Sequence, residues 1–270
     1  MKRKKLPTFE LEGLPDEVLL KVLSFLELPD LTRCEQVSKR LKSIVQIESL
    51  WQKLICFNNN DKIDMSINFV EKILSRGCKT LSLKRYRLTG DAYMTRSKSL
   101  VEEKLGSSKL INLNLYQCEL PNGFSEKLMS SIQNLKKLSL TQFNIYRISN
   151  GILSNFYSLN GQTLQTLNLA FSCGIKLENF QLIVNNCTRL KEIELSGCCQ
   201  SEACTSLLVN SITKSIEKFG LGFTGKYDSD SADGYITTLV SRCKKIKSLN
   251  LGYRFVQNLN FILGINWVQL

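Results

Sequence analysis

Residues 190–195, Leu-Lys-Glu-Ile-Glu-Leu, place apolar side chains at the first, fourth and sixth positions of a short segment. Because side chains alternate between the two faces of a β-strand, Ile193 and Leu195 would face a core while Glu192 and Glu194 face away from it. The same spacing occurs seven times, in segments that begin at Cys78, Leu110, Leu135, Leu164, Leu190, Ile216 and Ile246. From Leu110 onward the first positions lie 25 to 30 residues apart, so the chain is built from a repeated unit.

Apolar residues between these segments recur with the period of a helix. Ile236, Leu239, Val240 and Cys243 are spaced as one face of a helix, and similar stripes begin at Ile67 and at Leu177. Neither a short strand nor a one-sided helix buries its apolar face alone, whereas stacked units bury a continuous core. The sequence therefore predicts an α/β solenoid of about seven repeats, with a concave parallel sheet and convex helices.

Residues 187–198 begin and end with cysteine and match every fixed position of the pattern C-x-x-L-x-x-L-x-L-x-x-C. Over about residues 66–256 the chain resembles the cysteine-containing class of leucine-rich repeats, although Tyr86, Phe143 and Arg254 depart from it at the last position. Where a small side chain such as Cys118, Ser172 or Cys198 follows the strand, we expect it to bond backbone groups that the turn leaves unpaired.

Composition excludes several classes of site. The chain contains no histidine, which removes Ser-His and Cys-His catalytic pairs and His-containing metal sites. Its ten cysteines are too few for a disulfide scaffold and indicate a reducing compartment. The densest group, Cys198, Cys199 and Cys204, is a weak zinc alternative because no C-x-x-C pair occurs. We expect no catalytic residue, no metal and no cofactor, and no membrane span, because the apolar stretch at 261–268 is too short.

The segment before the repeats has helical character only. Residues 14–17, Leu-Pro-Asp-Glu, are typical of a helix start, with proline tolerated in the first turn and acids near the positive end of the helix dipole. Residues 28–30, Leu-Pro-Asp, interrupt that helix and start a second one, and Leu41, Ile44 and Val45 indicate a third. A module of this size has only marginal stability by itself. We therefore expect part of its apolar surface to bind another molecule.

This segment resembles an F-box. The positions that carry the resemblance are Leu14, Pro15, Glu17, Leu19, Phe25, Leu26, Leu28, Pro29, Leu31, Val37, Leu50 and Trp51. Leu41 departs from the tryptophan found in many members of the family. The predicted boundaries are a basic flexible tail at 1–9, an F-box at 10–56, a linker at 57–65 and the leucine-rich-repeat solenoid at 66–270. The alternative is that these helices only cap the end of the solenoid.

An F-box followed by leucine-rich repeats implies a substrate receptor of an SCF-type ubiquitin ligase. In that family the F-box binds a Skp-type adaptor, which links it to cullin and RING subunits, and the receptor performs no bond chemistry itself. The adaptor contacts implied by the resemblance are Leu14, Pro15, Glu17, Val18, Leu19, Val22, Phe25, Leu26, Leu28, Pro29, Leu31, Val37 and Trp51. The alternative is a protein-binding scaffold that acts outside ubiquitin transfer.

The concave face is predicted to bind the protein substrate. Its strand positions are mostly small and neutral, and aromatic side chains flanked by small polar ones suit a protein partner. The candidate substrate contacts are Arg85, Tyr116, Phe171, Phe223 and Tyr253. For Phe171 and Phe223, packing between turns is an equally good interpretation.

The net charge of +12 raises the alternative of nucleic-acid binding. Lys84, Lys137 and Lys218 on the predicted face are balanced by Glu192 and Glu194, so no basic stripe forms and no nucleic-acid partner is expected. A basic group around the first repeat could receive an acidic or phosphorylated segment, although a solvated face is the simpler interpretation. Residues 2–5 are a nuclear import signal or a solubilising tail, so the expected location is cytoplasmic, nuclear or both.

Overall fold

The computed structural model describes residues 13–26, 28–57, 63–90, 109–121, 123–198, 201–222, 229–251 and 266–267. It begins with three helices, α1 (Asp16–Leu23), α2 (Leu28–Cys34) and α3 (Lys39–Val45), followed by a 3-10 turn (Glu48–Trp51). Helix α1 begins at Asp16, within the predicted helix start at 14–17 but with Pro15 before its first turn, and Ser38 caps α3 by accepting a hydrogen bond from the Leu41 amide. We call residues 13–52 the helical module.

The rest of the described chain is organised around one parallel sheet. The strands are β1 (Lys53–Phe57), β2 (Ile63–Ser66), β3 (Thr80–Lys84), β4 (Tyr86–Thr89), β5 (Asn112–Tyr116), β6 (Lys137–Ser139), β7 (Thr166–Asn168), β8 (Glu192–Glu194), β9 (Lys218–Gly220), β10 (Ser248–Asn250) and β11 (Asn266–Trp267). Nine of them pair in the order β1-β3-β5-β6-β7-β8-β9-β10-β11, and β2 pairs with β4 beside them. We call residues 53–267 the sheet region.

In the described part of the chain, six connections between strands of this sheet contain a helix, on one side of the sheet. These helices are α4 (Ile67–Ser75), α5 (Phe124–Ser131), α6 (Asn150–Asn160), α7 (Leu177–Asn186), α8 (Glu202–Ser211) and α9 (Ser229–Arg242). From α5 onward each of these helices packs against the next. Parallel strands need such crossover connections, so the fold is a mixed α/β arrangement of repeated strand–helix units preceded by short helices.

The register of the sheet agrees with the spacing of the apolar residues. Leu81, Leu113, Leu138, Leu167, Ile193, Phe219 and Leu249 pair across neighbouring strands and are all buried. A strand therefore lies at each of the seven predicted strand segments. The predicted helical stripes are also confirmed, because Val70, Phe180 and Leu239 are buried against the same core.

Polar groups inside this core are satisfied by local bonds. Asn160, fully buried at the end of α6, accepts a hydrogen bond from the Leu135 amide at 2.9 Å. Its amide nitrogen donates to the carbonyl oxygens of Ile132 and Phe156, both at 2.9 Å. One side chain thus closes the end of α5 and ties it to the next unit, which keeps buried backbone groups paired.

The sheet begins earlier than predicted. Strand β1 starts at Lys53, inside the range 10–56 that the sequence predicted as all-helical, and pairs in parallel with β3. Its Leu54 and Cys56 are in register with Leu81 and Leu83, so the strand pattern extends back into the module. The expected linker 57–65 also differs, since Ile63 already lies in β2.

Two further observations concern membranes and the amino-terminal tail. None of the described helices combines the length and the apolar content needed to cross a bilayer. The basic tail predicted at 1–9 lies outside the described residues.

Candidate functional site: two exposed surfaces

The helical module carries exposed apolar side chains. Val18, Val22, Phe25 and Leu26 are 43%, 38%, 76% and 37% exposed, and their spacing places them on one face of α1 and of the turn that follows it. Val37, in the turn between α2 and α3, is 68% exposed. We call these five residues the apolar face. Large apolar side chains exposed together are typical of a site for another macromolecule.

Three of the predicted adaptor contacts lie inside the module instead. Leu19, Leu31 and Trp51 are buried and pack in the core, so they position the helices and do not present themselves to a partner. Their assignment as direct contacts is therefore corrected. An apolar residue at helical spacing suits a core and an interface equally well, and the sequence pattern alone did not separate the two.

The remaining predicted contacts vary in exposure. Leu14 is half-buried against the core, whereas Pro15 and Glu17 are exposed. Arg40 fixes this end of α1 by donating to the Leu14 carbonyl at 2.6 Å and to the Asp16 carboxylate at 2.5 Å. The side chains of Leu28 and Pro29 lie outside the described residues.

An ionic cluster joins the helical module to the sheet region. Glu35, at the end of α2, accepts hydrogen bonds from Lys72 Nζ at 2.7 Å and from the Arg76 guanidinium. The guanidinium carbon of Arg76 lies 4.2 Å from the ring centre of Trp51. Burial alone would raise the pKa of Glu35, but the hydrogen bonds from Arg76 and Lys72 outweigh it and hold that pKa below its usual value.

Trp51 also belongs to the sheet region. It stands three residues before Leu54, as Cys78 stands three residues before Leu81, so it occupies the first position of a unit whose strand is β1. Its indole nitrogen donates to the Val45 carbonyl within the module. A single buried side chain therefore serves both regions.

The second surface is the sheet face opposite the helices, which we call the open face. It consists of strand residues that alternate with the buried ones, and neighbouring side chains bond across it. Asn112 Nδ2 donates to Thr80 Oγ1 at 3.0 Å, and Asn114 Nδ2 donates to Ser82 Oγ at 3.1 Å. This surface is polar and hydrogen-bonded to itself.

One edge of the open face is formed by residues with a left-handed backbone. Arg85, Gln117, Gln142 and Phe171 have φ of 61°, 53°, 55° and 57°, each two residues after the last buried leucine of its strand. Arg85 Nε donates to Gln117 Oε1 at 2.7 Å, and Gln117 Nε2 donates to Gln142 Oε1. The polar chain ends there, and the next position holds Phe171, which is 56% exposed.

The predicted substrate contacts are therefore placed unevenly. Arg85 and Phe171 lie at this edge, and Tyr116 lies on the open face with Lys84 Nζ 5.5 Å from its ring centre. Phe223 and Tyr253 lie outside the described residues. Sequence reasoning missed the contact of Gly197 with the Phe171 ring and the contacts of Gly220 with Glu194 and of Gly222 with Ser196, which the register of the strands brings about.

Cys118, Cys187 and Cys198 are buried and have structural roles. Cys118 Sγ donates to the Leu83 carbonyl at 3.3 Å, and Ser172 Oγ and Cys198 Sγ bond the Leu140 and Leu169 carbonyls in the same way. The predicted role of these small side chains in the turn is thus confirmed. Burial raises the pKa of the Cys187 thiol to about 12, which keeps it protonated. Within the described residues, no three His, Cys, Asp or Glu side chains group as a metal site requires.

A family model described as F-box-like matches residues 11–56. This match supports the predicted F-box and thus an F-box protein. Among solved structures, the tropomodulin C-terminal domain of Caenorhabditis elegans has a TM-score of 0.32 and 9% identity, covering 80% of this chain and 92% of that chain. Actin-binding site 2 of leiomodin-1 has a TM-score of 0.30 and 13% identity, covering 80% and 86%. Both structural likenesses are too weak to carry an argument.

Proposed function

We propose that this protein is the substrate receptor of an SCF-type ubiquitin ligase. The helical module binds a Skp-type adaptor, and through it cullin and RING subunits, while the open face binds the protein to be ubiquitinated. The receptor itself carries out no bond chemistry. The observation that carries the proposal is the apolar face, which is exposed in the same segment that matches the F-box-like family.

The energetics favour a partner on that face. Complete burial of a Val, Leu or Phe side chain contributes about 1.5–3 kcal/mol relative to leaving it in water. Phe25 has the most to gain, being 76% exposed, and Lys21 Nζ lies only 5.2 Å from its ring centre. Aromatic residues of this kind are frequent binding hot spots. Leu19, Leu31 and Trp51 support the proposal indirectly, because they hold the helices that present the apolar face.

Calorimetric titration of the full chain with a purified Skp-type adaptor tests this assignment. We expect Phe25→Ser to weaken binding by about 30-fold or more, which corresponds to a hot spot of at least about 2 kcal/mol. The matched control is Tyr146→Ser, since Tyr146 is 69% exposed but lies in the sheet region. Absence of binding by the unaltered chain, or equal binding by Phe25→Ser and wild type, would overturn the proposal.

The sheet region is, in this proposal, a leucine-rich-repeat solenoid with the open face as its concave side. Its support is the in-order parallel pairing and the side-chain bonds of Cys118, Ser172 and Cys198 to the preceding strand. Arg85, Tyr116 and Phe171 remain proposed substrate contacts. The proposed location is cytoplasmic, nuclear or both.

Recovery of cullin separates this function from the scaffold alternative. The full chain should recover the adaptor, cullin and RING subunits together, and Phe25→Ser should lose all of them at once. Adaptor without cullin would assign the chain to a role outside ubiquitin transfer.

A further inference from the structure

The backbone conformation at residue 171 does not explain why a phenylalanine occupies that position. The turns after β3, β5, β6, β7 and β8 each contain a residue with positive φ, and in the unit after Phe171 that residue is Gly197, at 74°. Asparagine and glycine adopt this region most readily, and a bulky aromatic residue there costs free energy. Phe171 nevertheless occupies the position with its ring 56% exposed, so the fold gains little from the ring itself.

Glycines leave space beside that ring and beside two side chains of the next unit. A Cβ on Gly197 would lie 2.6 Å from Phe171 Cδ1, so the ring rests on the bare backbone of the next turn. A Cβ on Gly220 would lie 2.0 Å from Glu194 Oε2, and one on Gly222 would lie 2.9 Å from Ser196 Oγ. The side chains of Glu194 and Ser196 therefore lie over glycine positions in and just after β9.

Glu194 is held in place by neutral donors. Its Oε1 accepts from the Ser196 amide at 2.9 Å and from the Ser196 hydroxyl, and its Oε2 accepts from Asn250 Nδ2 at 3.0 Å, across the intervening strand. Ser196 also links this carboxylate to the aromatic side chain, because its carbonyl accepts from the Phe171 amide at 2.7 Å. Phe171 and Glu194 are thus both hydrogen-bonded to Ser196.

The carboxylate of Glu194 lacks a cationic partner among the described residues. The other acid on the open face, Glu192, pairs with Lys218 Nζ at 3.0 Å, but no described Lys or Arg comes within ion-pair distance of Glu194. This unpaired anion belongs to a chain of net charge +12. It is a local site of opposite sign on an otherwise basic protein.

We propose that Phe171 and Glu194 form a binding site for a cationic side chain, Arg or Lys, of the protein held on the open face. A guanidinium or ammonium group over the exposed ring gains a cation–π contact, and the fixed carboxylate supplies the charge-assisted bond. Electrostatic complementarity of this kind selects partners more than it adds affinity. The inference rests on the proposed substrate-receptor function and names the chemistry that the substrate must present.

Selection of phage-displayed random short peptides on the immobilised full chain tests the site. We expect the enriched peptides to share an Arg or Lys at a fixed position and to bind the wild type about tenfold more tightly than Glu194→Gln, by fluorescence polarisation. Phe171→Asn should weaken binding similarly, and since Asn adopts positive φ readily, that variant keeps the turn intact. The matched control Glu178→Gln removes an exposed carboxylate from the helical side and should bind as wild type does.

The outcomes separate this site from the adaptor interface. Enrichment of acidic peptides, of peptides without a shared cation, or of no peptide at all would overturn the proposed site, as would equal binding by Glu194→Gln and wild type. Adaptor titration of the same variants should be unchanged from wild type. If the unaltered chain does not bind the adaptor while the peptide results hold, the proposed function is contradicted and the cation site is not.

Discussion

The helical module and the sheet region expose surfaces of opposite chemistry. On the module, Phe25 and Val37 leave most of their apolar area in water. On the open face, Asn112 and Asn114 are already hydrogen-bonded to the neighbouring strand. Long-lived interfaces are richer in apolar contacts than exchangeable ones. The difference suits a lasting partner on the module and an exchangeable one on the sheet.

The two regions also differ in how they are stabilised. Each central unit of the sheet region is held by neighbours on both sides, through strand pairing and helix packing. Among the described residues, the module is held by its own three helices and by a junction with the sheet region, where Glu35 and Trp51 contact Arg76 and Glu48 pairs with Lys109 Nζ at 2.7 Å. We therefore expect substitutions at the junction to cost more than substitutions on the open face.

Trp51→Ala should have the largest effect, because it empties a site that both regions share. Loss of a fully buried tryptophan costs about 3–5 kcal/mol, a large part of the stability of a typical domain. Urea denaturation followed by circular dichroism should show a single transition at a much lower midpoint. Tyr146→Ala, the exposed aromatic control, should shift the free energy of unfolding by no more than about 0.5 kcal/mol. A module that unfolds alone while the sheet keeps its midpoint would show that the regions are independent.

Glu35→Gln should have an intermediate effect that depends on pH. Hydrogen bonds to charged groups contribute about 1.5–3 kcal/mol, so we expect a loss of about 2 kcal/mol near neutral pH. Because the fold lowers the Glu35 pKa, this contribution is present above the unfolded value near 4.5 and is lost as pH falls through the folded value.

The measurement is the free energy of unfolding of wild type and Glu35→Gln across an acid series. Their difference should shrink as the medium becomes more acidic than the ordinary pKa of a glutamate. Glu178→Gln serves as the control, with a small difference expected throughout. A Glu35→Gln difference that grows on acidification contradicts the assigned role of Arg76 and Lys72.

Asn112→Ala should have the smallest effect, because it removes one cross-strand bond from a solvent-accessible face. Such pairs contribute about 0.2–1 kcal/mol. Denaturation should register a loss in that range, and calorimetry should find unchanged adaptor binding. A loss above about 2 kcal/mol would mean that the open face supports the fold as strongly as the junction does.

The sequence was informative wherever a spacing repeats. The apolar positions of residues 190–195 and their six counterparts located the strands, and Leu14 and Pro15 located the start of α1. Strand β1 was not predicted because it begins only two residues after Trp51. Its two apolar positions, Leu54 and Cys56, were therefore assigned to the helical segment. Strands β2 and β4 left no periodic apolar signal, although Arg87 of β4 forms a parallel bridge with Glu119 in the next unit.

The candidate sites were harder to predict for a physical reason. Burial of Leu19 and exposure of Val18 depend on which side of α1 meets α3, and both residues are equally apolar. The bond between Glu194 and Asn250 joins residues 56 positions apart and exists only because Gly220 between them has no side chain. Such contacts follow from packing across units, which local spacing does not encode.

Strand β1 has a consequence for domain grafting. A chimaera that exchanges the first 56 residues would cut this strand, leave β3 with a bare edge, and remove the ring on which Arg76 rests. The exchanged segment must instead extend through α4 and Arg76. Glu35 and Trp51 are then transferred together with Lys72 and Arg76, which they contact. Recombination between proteins of this architecture would then succeed only at breakpoints beyond Arg76.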